Sequence, residues 1–306
     1  MDTTSIIIQQ CINAVFLGSI YALVALGYTM VYGIVELINF AHGEMFTAGS
    51  FIGVIVLTGL AASGFAESHF ALTMIVVFGM AMAYVAVLGV AIEAVAYRPL
   101  RYAPRVSALL SALGMSIFLS NGMMLTQGVS DRAYPPILGN KGLHLLAAKL
   151  TYGQIFIIAL SIGLMIALNL FVNRSRLGKA MRATAQNKNM ARMLGIDIDK
   201  TIRTTFMIGP ALGAAAGVMV GLYYGSVRFD MGFIYMIKAF AAAILGGIGS
   251  IPGAMLGGLI IGAVEVLWSA FLPSEWKDVT TFMVLILVLY LRPSGILGES
   301  VSEARV

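Results

Sequence analysis

Charge is scarce in this chain: of its 306 residues only 11% are Asp, Glu, Lys or Arg, 59% are hydrophobic, and the mean hydropathy is +0.93. A water-soluble domain cannot cover its surface with so few ionic groups, so the bilayer is its solvent. Cysteine is nearly absent, and the single Cys11 excludes an internal disulfide and a Cys-cluster metal site. It reads as a small apolar helix residue. Histidine is equally sparse. His42, His69 and His144 are widely separated, and neither a His-Glu-x-x-His helix nor a Gly-x-Ser-x-Gly elbow is present. No catalytic residue, metal site or cofactor site is therefore expected, and an intramembrane hydrolase has no dyad to work with. A Walker A loop is missing too, because Gly178, Lys179 and Ala180 lack the upstream glycine and the following hydroxyl that such a loop needs. Any nucleotide-driven step must be powered by another chain.

What is present is a series of uncharged runs. A hydrocarbon core of ~30 Å needs about 20 helical residues, and runs of that order occupy 5–35, 45–66, 71–92, 106–130, 150–173, 204–227 and 239–264, with a shorter one at 279–291. They predict an all-α polytopic membrane protein of about eight transmembrane helices, some broken or re-entrant, forming a single domain over 1–306. The N-terminus lacks a basic n-region, so the first run is expected to be a mature span rather than a cleaved signal.

The few basic residues are gathered. Eight of the nineteen Lys and Arg lie in 174–203: Arg174, Arg176, Lys179, Arg182, Lys188, Arg192, Lys200 and Arg203. Smaller groups are Arg98, Arg101 and Arg105, and, near the C-terminus, Arg292 and Arg305. Positive charge concentrates in loops on the cytoplasmic side, which explains the formal net charge of +5 without invoking nucleic acid. All three groups are assigned to the cytoplasm, together with the C-terminus. The segment 131–149 is then external, and so is the N-terminus if 45–66 crosses.

Two places interrupt the apolar pattern. One holds Asn39, His42 and Glu44, with Glu36 just before them; it reads either as a short turn with solvated charges or as a broken helix whose ends line a translocation path. The other holds Gly246, Gly247, Gly249, Pro252 and Gly253, where helix breaking also points to the path. A shift of 204 residues superposes Gly43, Gly49 and Gly53 on Gly247, Gly253 and Gly257, as an internal repeat would. Glu265, ahead of Trp268, is expected to be an interfacial, snorkelling carboxylate. Glu93 is expected to partner the basic loop that follows it.

Within the basic block, RATAQNKNMARMLGID over 182–197 reads as a short amphipathic helix. Met190, Met193 and Leu194 share one face, Lys188 and Arg192 another, and Gly195 stops it as a C′ residue. It suits either docking to a partner or resting on anionic headgroups. This block resembles the coupling loop of membrane subunits of bacterial ABC importers for branched-chain amino acids. GSIYALVALGYTMVYG over 18–33 with INFAHGE over 38–44, AILGGIGSIPGAMLGG over 243–258 and LRPSGILG over 291–298 are similar to the same family's other signatures. The length, without an N-terminal extension, suits the shorter of its two permease types.

The resemblance implies a permease in the bacterial inner membrane, working with a second permease, two ATP-binding subunits and a periplasmic binding protein that delivers leucine, isoleucine or valine. ATP would be bound by the partners. The coupling loop would occupy 174–203, with contacts to the ATPase from Arg182, Ala183, Ala185, Asn187, Lys188, Ala191, Arg192, Leu194 and Gly195. The rival, an ATP-independent channel or secondary transporter, would need buried ionisable groups for ion coupling, and few are evident.

Overall fold

The computed structural model describes residues 3–101, 103–139, 142–145 and 148–298. Arg305 of the basic tail lies outside them. Among the described residues seven helices are long and apolar enough to cross a membrane. They belong to α1 (Thr3–Val35), α2 (Ala41–Ala62), α4 (Phe70–Ile92), α5 (Arg105–Gln127), α6 (Tyr152–Arg174), α9 (Ile198–Tyr224) and α11 (Ile251–Phe271). Shorter helices are α3 (Phe65–Ser68), α7 (Arg176–Gln186), α8 (Lys188–Met193), α10 (Met231–Gly246) and α12 (Lys277–Leu291). The basic residues of 174–203 mark one end of the bundle, here the basic end; the opposite one is the far end.

α1 is the axis of the fold. A helix that is apolar all round belongs inside, and every residue from Phe16 to Val31 is buried. Cys11 precedes that stretch and is exposed on the same helix. Lipid tails give apolar helices no reason to leave one another's company or to seek it, so association depends on close backbone approach at small residues. α1 runs antiparallel to α11, with Gly18 against Leu259 and Ala22 against Gly258, and antiparallel to α9, with Gly27 against the Gly209 carbonyl. Inside α9, Pro210 cannot bond the Phe206 carbonyl. Gly89 of α4 comes so close to that oxygen that a Cβ there would collide with it.

α2 starts at Ala41, four residues before the apolar run suggests. Glu36 adopts φ +61° and ends α1, and residues 37–40 then climb back along it. α2 begins about two turns before the end of α1, because a Cβ on Gly27 would lie 3.1 Å from the His42 ring. This is the broken-helix alternative for 39–44, and it buries His42 and Glu44, so the solvated turn survives only at exposed Glu36.

The run 239–264 is not one span. α10 and α11 are two antiparallel helices closed by a turn at 247–250, where Gly247 takes φ +106°, a region closed to most side chains. The 16 residues of α10 reach only ~24 Å at 1.5 Å per residue. The chain after α12 closes the turn, Ile296 N–H donating to the Leu245 carbonyl and Leu297 N–H to that of Gly246, both at 2.9 Å. The proposed 204-residue repeat is out of register, since Gly43 lies inside α2 and Gly247 in this turn.

At the far end, the all-helical expectation gains two small sheets. β1 (Arg132–Ala133) pairs antiparallel with β4 (Ser226–Val227), and β2 (Gly142–Leu145) with β3 (Ala148–Thr151). Next to β1, Tyr134 inserts its ring between α2 and α9, its hydroxyl meeting Ser50 and facing Gly53 and Gly221. Burial there pushes the phenol above its ordinary pKa.

Candidate functional site

At the basic end the expected single helix is two. Asn187 is extended, and its side chain accepts from Met190 N–H at 3.0 Å, so it caps α8 instead of continuing α7. The stop at Gly195 is as expected: φ is +80°, Gly195 N–H bonds the Arg192 carbonyl and Ile196 N–H that of Ala191, a Schellman closure. Of the residues assigned to coupling, Arg182, Asn187, Arg192, Leu194 and Gly195 are exposed, Ala183, Ala185 and Lys188 half-buried, and Ala191 buried as the foot of α8. Met190, Met193 and Leu194 stand 61%, 84% and 79% exposed, three adjacent apolar side chains at the extremity of the fold. Lys188 donates to the Val35 carbonyl at 3.2 Å and lies 3.6 Å from Glu36. The short helix is thereby tied to the hinge where α1 ends and the chain climbs into α2.

Inside the bundle, Asn39, His42 and Glu44 each meet residues the sequence did not single out. Tyr97 donates its hydroxyl to Asn39 Oδ1 at 2.9 Å, and Ser116 of α5 donates to Glu44 Oε1 at 3.3 Å. The His42 ring lies edge-on to Tyr28 with centroids 5.9 Å apart. Glu44 Oε2 and Asn39 Nδ2 are buried without a hydrogen-bond partner among the described residues, an expensive arrangement at membrane depth. The structure does not bring Gly246, Gly247 and Gly249 to this cluster. They lie at the basic end, where Gly246 packs on the Gly253 backbone, Gly247 sits under the C-terminal segment, and Gly249 borders a small cleft with Thr29 and Arg182.

Glu93 partners the basic loop, as expected, but from full burial. Its carboxylate binds Arg101 and lies 3.4 Å from Arg98, while Arg101 also reaches Asp199 at the start of α9. Glu265 departs from expectation altogether. It is 5% exposed rather than interfacial, accepting from Lys238 Nζ and from the Tyr21 hydroxyl, both at 2.7 Å. The physical reason is the hairpin: Lys238 and Glu265 bracket the uncharged run, and folding it at 247–250 sets them face to face. The charged brackets were legible; the fold-back that joins them was not. This cluster opens on a far-end cavity whose rim carries Arg228. Asp230, by its hydrogen bond and then its charge, holds that guanidinium above its ordinary pKa.

The described residues contain no group of three or more His, Cys, Asp or Glu suited to a metal ion. The site offers instead buried polar groups beside a helix break, a far-end cavity and a short helix with an exposed apolar tip.

The family described as "Branched-chain amino acid transport system / permease component" matches residues 10–289. The LivH high-affinity branched-chain amino acid transport system permease of Salmonella typhimurium is 47% identical over 296 residues, 95% of this chain and 96% of the relative. The corresponding BraD protein of Pseudomonas aeruginosa is 46% identical over 298 residues, again 95% of this chain and 96% of its own length. An autoinducer 2 import permease, LsrC of Yersinia enterocolitica, is 28% identical over 60% of this chain and 52% of its own. No solved structure matches.

Proposed function

The chain belongs to the permease component family of branched-chain amino acid transport systems, and from that membership we propose that it forms half of the membrane path of an ABC importer. Its substrates are leucine, isoleucine and valine, brought by a periplasmic binding protein. A sister permease supplies the other half of the path, and two ATP-binding subunits drive it. The observation that carries this reading is near full-length kinship with high-affinity permeases. The basic end faces the cytoplasm of the bacterial inner membrane, together with the C-terminus, because Lys and Arg collect there.

The chain's own contribution is mechanical. Met190, Met193 and Leu194 seat in an ATP-binding subunit, and nucleotide-driven movement of that subunit displaces α8. Lys188 passes the displacement to Val35 and Glu36, so the end of α1 and the unwound stretch before α2 move with it. That stretch carries Asn39, and the helix it opens carries His42 and Glu44. These residues lie in the path and change their partners when it opens, which accounts for polar atoms left unpaired in the state described. Gly249, beside the cleft under α7, belongs to the moving end rather than to the path's centre.

Three measurements test this reading. A cysteine placed at Asn187 is expected to crosslink to the ATP-binding subunit in the assembled complex, whereas crosslinking to lipid alone would mean that α8 only rests on headgroups. Lys188→Glu is expected to leave the complex assembled while lowering uptake about tenfold at unchanged basal ATP hydrolysis; uptake that stays at the wild-type rate would break the proposed link. Glu44→Gln keeps the size and one acceptor of the side chain, so assembly is expected to persist and the uptake rate to fall several-fold. Unaltered uptake would remove Glu44 from the path.

A further inference from the structure

Lys238 and Glu265 are an ion pair buried on both sides, the side chains 5% and 6% exposed, and the family signatures do not include either. A buried ion pair loses more hydration than its attraction restores unless further bonds satisfy both groups, and apolar side chains of similar size serve packing at least as well. Here the bonding is extensive. Glu265 Oε2 accepts from Tyr21, and Oε1 accepts from Lys238 and faces Lys277 Nζ at 3.4 Å. Lys238 Nζ also lies 2.8 Å from Asp278 Oδ1 and 5.7 Å from the Tyr21 ring centroid. Two ammonium groups and two carboxylates make a neutral set.

A pair kept only for packing has no need of a cavity. This one lines a cavity of about 400 Å³ with Tyr21, Ile234 and Tyr235, a volume in the small-molecule range of ~300–1,000 Å³. Glu265 and Lys277 also border a second cavity of about 270 Å³ beside Asn13 and Ser269. Both lie toward the far end, where a delivered substrate would arrive.

We propose that Lys238, Glu265 and Lys277 recognise the zwitterionic head of an α-amino acid in this cavity, with its aliphatic side chain against Ile234 and Tyr235. The assignment rests on the reading of the chain as an amino-acid permease. The substrate ammonium donates to Glu265 in place of Lys238, and the substrate carboxylate accepts from Lys238 and Lys277. A zwitterion adds no net charge to a neutral set, so the exchange strands no lone ion in the bilayer. The internal pair competes with the substrate for every one of these bonds, which keeps binding weak enough for onward release.

The test uses the complete importer in proteoliposomes with its binding protein. Lys238→Met, Glu265→Gln and the double variant are each expected to cut leucine uptake tenfold or more without lowering basal ATP hydrolysis. A diazirine analogue of leucine is expected to label Ile234, Tyr235 or Tyr21 in the unmodified complex and to lose that labelling in the double variant. If the single variants are impaired but the double variant regains wild-type uptake, the pair is structural and the proposal falls, because removing both charges together leaves none stranded. It falls equally if the variants transport normally or if label appears only elsewhere in the permease. Should single variants fail to assemble, the double variant and the labelling decide. An unmodified complex that takes up no leucine at all would overturn the permease reading instead.

Discussion

Gly217→Val is expected to lower the thermal stability of the folded permease sharply. A Cβ at residue 217 would collide with the Phe46 carbonyl oxygen and lie 3.1 Å from its carbon and 3.3 Å from Ser50 N, all backbone atoms of α2. Neither helix can yield by a rotamer change. α2 and α9 would have to separate, pulling Tyr134 off Ser50 and opening the site around His42, which faces Gly213 one turn below. Overpacking a rigid contact costs about 1–3 kcal/mol, occasionally more, and two buried backbones meeting along several turns put this case at the upper limit. Total stability of a typical domain is only ~5–15 kcal/mol. Thermal unfolding of the detergent-purified complex, followed by size exclusion, measures the effect. Gly163→Val in α6 is the control, since a Cβ there meets nothing within 4 Å. Equal behaviour of the two variants would sink the packing account.

The second large effect belongs to Glu93→Ala. The Glu93 side chain is fully buried, Arg101 is 14% exposed and Arg98 39%. Removing the carboxylate leaves Arg101 buried with only Asp199 outside to answer it. Breaking a buried pair from one side costs about 3–5 kcal/mol; the wetter Arg98 and Asp199 place this case near the lower bound. The damage should appear at the basic end, where the clamp fastens the segment that follows α4 to the start of α9. A double-mutant cycle with Arg101→Met separates the pair from general damage: the combined variant is expected to recover much of the lost thermal stability, because the charges left over, Arg98 and Asp199, are exposed and no buried one is stranded. Additive losses in the two single variants would show that Glu93 and Arg101 are not coupled.

The same contrast runs through what a reader of the sequence sees. Gly195 and its Schellman closure are legible because capping is decided within five or six residues. Asn187 carries an equally local capping signal, yet an amphipathic pattern running past it favours one helix over two; the pattern alone did not reveal the break. Glu93 is legible as a partner of the basic loop because that loop follows it directly. Glu265 is misread because its partners are Tyr21, far away in α1, and Lys238, across a fold-back. Charge next to Trp268 suggests an interface only while 239–264 is taken as one span.

By itself the sequence determined the solvent, six of the seven long spans, the basic end and the family. Each follows from composition or from contiguous signals: apolar length against bilayer thickness, the side on which Lys and Arg collect, and unbroken motifs. Only the tertiary structure decided that α2 begins beside Gly27 rather than at the end of α1, that α10 and α11 form a hairpin, and that Lys238, Glu265 and Tyr21 share one cavity. Those outcomes depend on which small residues let distant backbones touch, as Gly27 does with Gly209 and Gly18 with Leu259. Helix pairing in lipid comes from that shape match between remote segments, and no local periodicity encodes it.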